Sequence, residues 1–236
     1  MKMICSFCKH KFYRPNKEYK DICIDGYSKE HLFEHLDQIF EMCPNCGVLV
    51  EDLTEFANDK TSQDITRNAF LNCAKYQELL TDKSIDKLEK KLLLGKIVYD
   101  ELDTYNGKHN NDMHLTLFTY YHAKCMDEKA IVHLKEKEKV ANHVIDGRKK
   151  QYNTNTITHD VLYGLTIWIL QIADMYRQIG DFETATKYLN MFDAYKFDKY
   201  SRSIKARVKL QKKLCYNQDT NRVANPIAFD ANEWAV

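Results

Sequence analysis

The chain has 236 residues with 44% hydrophobic and 29% charged types, enough for a packed core and too apolar for a disordered polymer. Seven glycines and three prolines amount to about a third of the ~12% that average composition would give, which favours long helices over a turn-rich sandwich or barrel. Thirty-five Lys+Arg against thirty-four Asp+Glu leave a formal charge of +1, so no global field drives the chain onto nucleic acid or an anionic membrane.

The opening Met1-Lys2-Met3-Ile4-Cys5 is followed at once by polar and aromatic residues. No apolar core of a signal peptide is present, and the longest apolar stretch, near Leu162 to Ile172, is interrupted and too short to span a bilayer. The expectation is a cytoplasmic, reduced protein without a membrane segment, in which cysteines serve as metal ligands or buried thiols.

Four of the eight cysteines form two pairs, Cys5-Ser-Phe-Cys8 and Cys43-Pro-Asn-Cys46, the second followed by Gly47. A two-residue spacing lets one turn aim both sulfurs and several backbone N–H groups at one point, and glycine after the pair supplies positive φ. Two such pairs give the Cys₄ set that tetrahedral zinc prefers. Lys11-Phe12-Tyr13 reads as a strand leaving the first pair, Arg14-Pro15-Asn16 and Asp25-Gly26 as turns, and the whole interval as strands and loops. Gln38 to Met42 enters the second pair and Val48-Leu49-Val50 leaves it. Residues 1–58 are thus expected to form a small β zinc-ribbon module with Cys5, Cys8, Cys43 and Cys46 as ligands. Four cysteines suffice without His10 or Cys23, and His31 and His35, four apart, lack a third ligand and read as solvated.

From residue 61 apolar positions recur at three- and four-residue steps, and no proline occurs between Asn45 and Asn225. Helices are expected over Thr61–Leu80, from Ser84 to Asn106-Gly107, over 112–126, and over 128–149 with a stop near Asp146-Gly147. Thr158 caps the next helix, which ends at Gly180-Asp181; a shorter partner runs from Phe182 to about Tyr195, and a last helix from Asp198 to Tyr216. The single cysteines Cys73, Cys125 and Cys215 fall on these helices and read as buried small hydrophobes. The mainly α body is assigned to residues 59–216, and residues 217–236, with Ile227, Phe229 and Trp234, form a tail.

Cys43-Pro-Asn-Cys46-Gly47-Val48, followed by acidic residues and Phe56, resembles the second knuckle of rubredoxins, which implies iron and electron transfer as the alternative to zinc. Over more of the chain, the order of Cys5, Cys8, Cys43, Cys46 and the later helices resembles a bacterial family that joins a CxxC…CPxCG ribbon to a tetratricopeptide-like body. That family has no assigned reaction, so the resemblance implies architecture. Within the body, Ile172-Ala173, Tyr176, Gly180-Asp181-Phe182, Ala185 and Leu189 resemble one tetratricopeptide repeat.

Phosphate-cradling glycine loops, a GxSxG elbow and HExxH are all missing from the sequence, so no enzyme mechanism is recognisable. The functional expectation is a zinc-stabilised helical-repeat protein that binds a protein or peptide. Tyr163, Asp174, Arg177 and Lys187 are the contact candidates, near the repeat but outside its expected core. Arg202, Lys205, Lys209, Lys212 and Lys213 line one side of the last helix, either a patch for phosphates or an acidic partner, or a solvated outer face. Nucleic-acid binding through ribbon and basic helix is a further alternative, against which the near-neutral net charge counts.

Overall fold

The computed structural model describes residues 2–5, 7–13, 29–50, 72–106, 110–153, 159–194 and 202–221, with isolated positions between 63 and 70. The protein is mainly α. Among the described residues the elements are β1 (Lys2–Ile4), β2 (Lys11–Tyr13), α1 (Lys29–Gln38), β3 (Glu41–Met42), β4 (Leu49–Val50), α2 (Ala74–Thr81), α3 (Lys87–Asn106), α4 (Asn110–Ala123), α5 (Asp127–Asn153), α6 (His159–Gln178), α7 (Phe182–Ala194) and α8 (Arg202–Tyr216). The strands form two separate antiparallel pairs, β1 with β2 and β3 with β4. The chain divides into two compact units, Met1–Lys124 and Cys125–Val236.

In the first unit the interval between the cysteine pairs holds a helix, correcting the expectation of strands and loops alone. Leu32 and Leu36, four residues apart on α1, are both buried, and Phe40 just beyond its end is buried with them. Lys91 of α3 hydrogen-bonds both the backbone carbonyl and the carboxylate of Asp37 at the end of α1. The Cys43–Cys46 hairpin packs on the helices too. The ring of Phe40 lies edge-on to Tyr99, and the buried hydroxyl of Tyr76 donates to the carbonyl of Gly47 at 3.0 Å. These contacts tie α1 and the Cys43–Cys46 segment to helices that follow residue 58 in the sequence.

Asp86 caps α3, its carboxylate accepting the N–H groups of Leu88 and Glu89 at 3.0 and 3.2 Å. The expected helix from Thr61 falls partly outside the described residues; α2 begins at Ala74, after Cys73 in an extended conformation. Gly95 on α3 permits close approach of Phe40, since a Cβ there would lie 2.5 Å from Phe40 Cζ. Gly95→Ala is therefore expected to destabilise the first unit by about 1–3 kcal/mol through overpacking, outweighing the gain of about 1 kcal/mol in helix propensity. A urea midpoint above the wild-type value would contradict this packing.

The second unit is a helical bundle in which α6 packs against α5 and α7, and α8 against both α6 and α7. Ala173 and Ala185 are fully buried, so α6 and α7 approach closely, with Tyr176, Leu189 and Phe192 filling the space around them. The turn between them is a Schellman stop: Gly180 takes φ +83, its N–H reaches the carbonyl of Arg177 and that of Asp181 the carbonyl of Tyr176. Gly147 does not stop α5, which runs on to Asn153. Cys125 is exposed at φ +58 in the turn after α4, correcting its placement in a helix, whereas Cys215 is buried and Cys73 half-buried. Thr158 and residues 222–236, which hold most of the expected tail, lie outside the described residues.

Candidate metal centre

The sulfurs of Cys5, Cys8, Cys43 and Cys46 all lie within 4.8 Å of one another. Cys5 Sγ is 3.7 Å from Cys46 Sγ, and Cys8 Sγ is 3.7 Å from Cys43 Sγ. A tetrahedral ion with metal–sulfur bonds of ~2.3 Å has sulfur–sulfur edges of about 3.8 Å, so the donor set fits one such ion.

The two pairs are built alike. The N–H of Cys5 donates to the carbonyl of His10 and that of Lys9 to the carbonyl of Cys5, both at 2.9 Å. In the second pair Cys43 donates to Val48 and Gly47 to Cys43, again at 2.9 Å. The strand registers match as well: Ile4 pairs with Lys11 and Met3 with Phe12, as Met42 pairs with Leu49 and Glu41 with Val50. The second knuckle thus repeats the first 38 positions later, a symmetry that the cysteine spacing hints at and that the sequence reading did not extract.

The symmetry explains Lys9. Gly47 takes φ +77 and Lys9, its counterpart, φ +59, so a lysine occupies the left-handed turn that glycine occupies in the other knuckle. Lys9→Gly is expected to stabilise the centre by roughly 0.5–1 kcal/mol, the left-handed penalty less the added chain entropy. Gly47→Ala should act in the opposite direction, because a Cβ would lie 2.5 Å from Leu80 Cδ1 in addition to the backbone strain. Chelator-competition titrations of both variants check the pair, and equal metal affinities would contradict it.

Backbone donors surround the sulfurs. The N–H groups of Cys8 and Phe7 reach Cys5 Sγ, that of His10 reaches Cys8 Sγ, and that of Val48 reaches Cys46 Sγ. Asn45 crosses from the second knuckle and donates its side-chain amide to Cys8 Sγ at 3.5 Å. The His10 N–H and then this amide bring the Cys8 thiol down to about 6, so Cys8 is poised as a thiolate. Burial pushes the Cys5 and Cys46 thiols up, which resists ionisation until a cation is present. Phe7, Phe12, Phe70 and Val48 cover the cluster on its apolar side. The fit of the donors to zinc or iron is the same; bound there, such an ion would neutralise the thiolates and cross-link the two hairpins.

Other candidates are placed differently. His10 is exposed and stacked on Phe12, outside the sulfur cluster. His35 is exposed on α1, and Cys23 lies outside the described residues. Asp174 and Arg177 are buried. Arg177 is 0% exposed and bonds Asp174 Oδ1 through Nη2 at 2.7 Å, Gln211 Oε1 through Nε at 3.0 Å, and the carbonyls of Asp219 and Asn221 through Nη1. Arg177 and Asp174, contact candidates from the sequence, thus pair with each other inside the bundle. Tyr163 lies in α6, and Lys187 is exposed on α7.

On α8, whose first residue is Arg202, Lys205, Lys209 and Lys213 are exposed and Lys212 pairs with Asp193 at 2.8 Å. Ile204, Leu214 and Cys215 on the same helix are buried. No helix among the described residues is long and apolar enough to cross a membrane. No family model matches the chain, and neither a curated protein nor a solved structure matches it.

Proposed function

We propose that the chain is a helical protein whose Cys5, Cys8, Cys43 and Cys46 hold one structural zinc, and that its helical body serves as a scaffold for a protein or peptide partner. The convergence of four sulfurs within 4.8 Å of one another, two of the pairs at the 3.7 Å of a tetrahedral edge, carries the metal reading. The structural role follows from the smallness of the two hairpins, whose two- and three-residue strands bury too little apolar surface to hold themselves. The α6–α7 hairpin, with alanines at the crossing and a glycine stop between, supports the tetratricopeptide-like reading and the membership in the ribbon-plus-repeat family. Lys187 and Tyr163 remain the contact candidates for the partner.

The test is elemental analysis of protein purified without added metal, beside its visible spectrum. About one zinc per chain and no colour is the expected result. One iron with thiolate-to-iron absorption would replace the structural reading with electron transfer at the same four sulfurs, and a metal-free folded protein would overturn both.

A further inference from the structure

The symmetry between the knuckles exposes an asymmetry in what their hairpins do. In the second hairpin the face carrying Phe40, Met42 and Leu49 is used internally: Phe40 and Leu49 are buried, and β4 packs on α3. The equivalent face of the first hairpin carries Ile4 and Lys11, paired across the strands, with Tyr13 next along β2 and opposite Lys2. There Ile4 is 56% and Tyr13 79% exposed, and Lys11 is exposed beside them. The same backbone module therefore buries this face in one copy and turns it to solvent in the other.

Charge says what suits the exposed copy. No aspartate or glutamate precedes Glu18, whereas Lys2, Lys9, Lys11, Arg14 and Lys17 do. The second knuckle is followed instead by Glu51, Asp52 and Glu55. A chain of net charge +1 thus carries only cations among the charged residues of its first seventeen positions. Lysines flanking an exposed aromatic ring make the pattern by which single strands are held, phosphates on the cations and a base stacked on the ring. The exposed Tyr13 ring needs an unstacked base to lie against, which a duplex does not offer, so the unpaired strand is the fitting form.

We infer that the β1–β2 hairpin binds single-stranded nucleic acid, with Tyr13 stacking a base, Ile4 packing beside it and Lys11 meeting a phosphate. The site does not depend on which metal the cysteines hold.

The experiment is fluorescence anisotropy of labelled oligouridylate and oligothymidylate with the full-length, metal-loaded protein at about 50 mM salt, repeated at rising salt. Saturable binding is expected, with log affinity falling against log salt at a slope of about −0.7 for the phosphate contact at Lys11. Tyr13→Ala should weaken it by about five- to one-hundred-fold and Tyr13→Phe should leave it unchanged. Lys11→Glu should weaken it and flatten the slope. Both side chains are exposed, so unchanged metal content in each variant shows that the hairpin is intact. Absence of saturable binding would overturn the inference. So would binding that is insensitive to Tyr13→Ala, or binding of oligoglutamate as tight as that of the oligonucleotides, which would assign the face to an acidic protein segment.

Discussion

Arg177→Ala is expected to destabilise the second unit by about 3–5 kcal/mol, the cost of removing one partner from a buried ion pair. The guanidinium is fully buried and satisfies Asp174, Gln211 and two backbone carbonyls beyond α8. Without it, the Asp174 carboxylate keeps only the amides of Gln178 and Gln211, at 2.7 and 2.9 Å, to offset its burial. Arg177→Lys should recover little, because an ammonium cannot present the planar fork that reaches α6, α8 and the following turn together. Lys212→Ala is the contrast: its pair with the largely exposed Asp193 should cost about 0–1 kcal/mol. Both tryptophans, Trp168 and Trp234, lie in the second unit, so urea unfolding followed by tryptophan fluorescence reads this unit. A loss below about 1 kcal/mol for Arg177→Ala would show that the network is not a stabilising clamp.

Cys43→Ser is the second large effect. Cys43 is buried, touches Cys8 across the cluster, and accepts the N–H of Gly47 with its carbonyl, so it serves both as a ligand and as the start of a knuckle. Loss of a direct ligand should weaken metal affinity by more than the ~10–100-fold that loss of an outer partner costs. Because metal binding supplies much of the folding energy of so small a β module, the variant and the chelated wild type should both lose amide-exchange protection in β1–β2 and β3–β4. Asn45→Ala, which removes only the amide on Cys8 Sγ, should fall within the ~10–100-fold range. Full protection of both hairpins in Cys43→Ser would contradict a structural role for the metal.

The parts of this architecture that were legible in the sequence are those set by local spacing. Two cysteine pairs announce two knuckles, because the chemistry of a thiolate turn fits within five residues. Gly180 announces the end of α6, because a Schellman stop needs left-handed backbone. Gly147 looks the same in sequence and is not a stop, since an exposed helix tolerates glycine at about 1 kcal/mol when the residues after it are good helix formers. The helix α1 shows its four-residue step only at Leu32 and Leu36, and the ribbon pattern invites strands throughout the interval.

Long-range pairing was the other source of error. Arginine and aspartate three apart on an amphipathic helix read as surface until Gln211, 34 residues later, closes over Arg177. The ties between the segment before residue 58 and the helices after it are equally long-range. Tyr76, Lys91 and Gly95, all beyond it in sequence, hold Gly47, Asp37 and Phe40 of the preceding segment. The equivalence of Lys9 and Gly47 could have been found by overlaying the chain on itself at a shift of 38 residues. Their shared backbone conformation could not, since lysine carries no preference for positive φ.

X-ray absorption at the metal edge of the as-purified, full-length protein tests the central claim most directly. The account predicts a single shell of four sulfurs at ~2.3 Å around one ion per chain. A shell containing nitrogen or oxygen, or fewer than four sulfurs, would contradict the assignment of Cys5, Cys8, Cys43 and Cys46 as the complete ligand set.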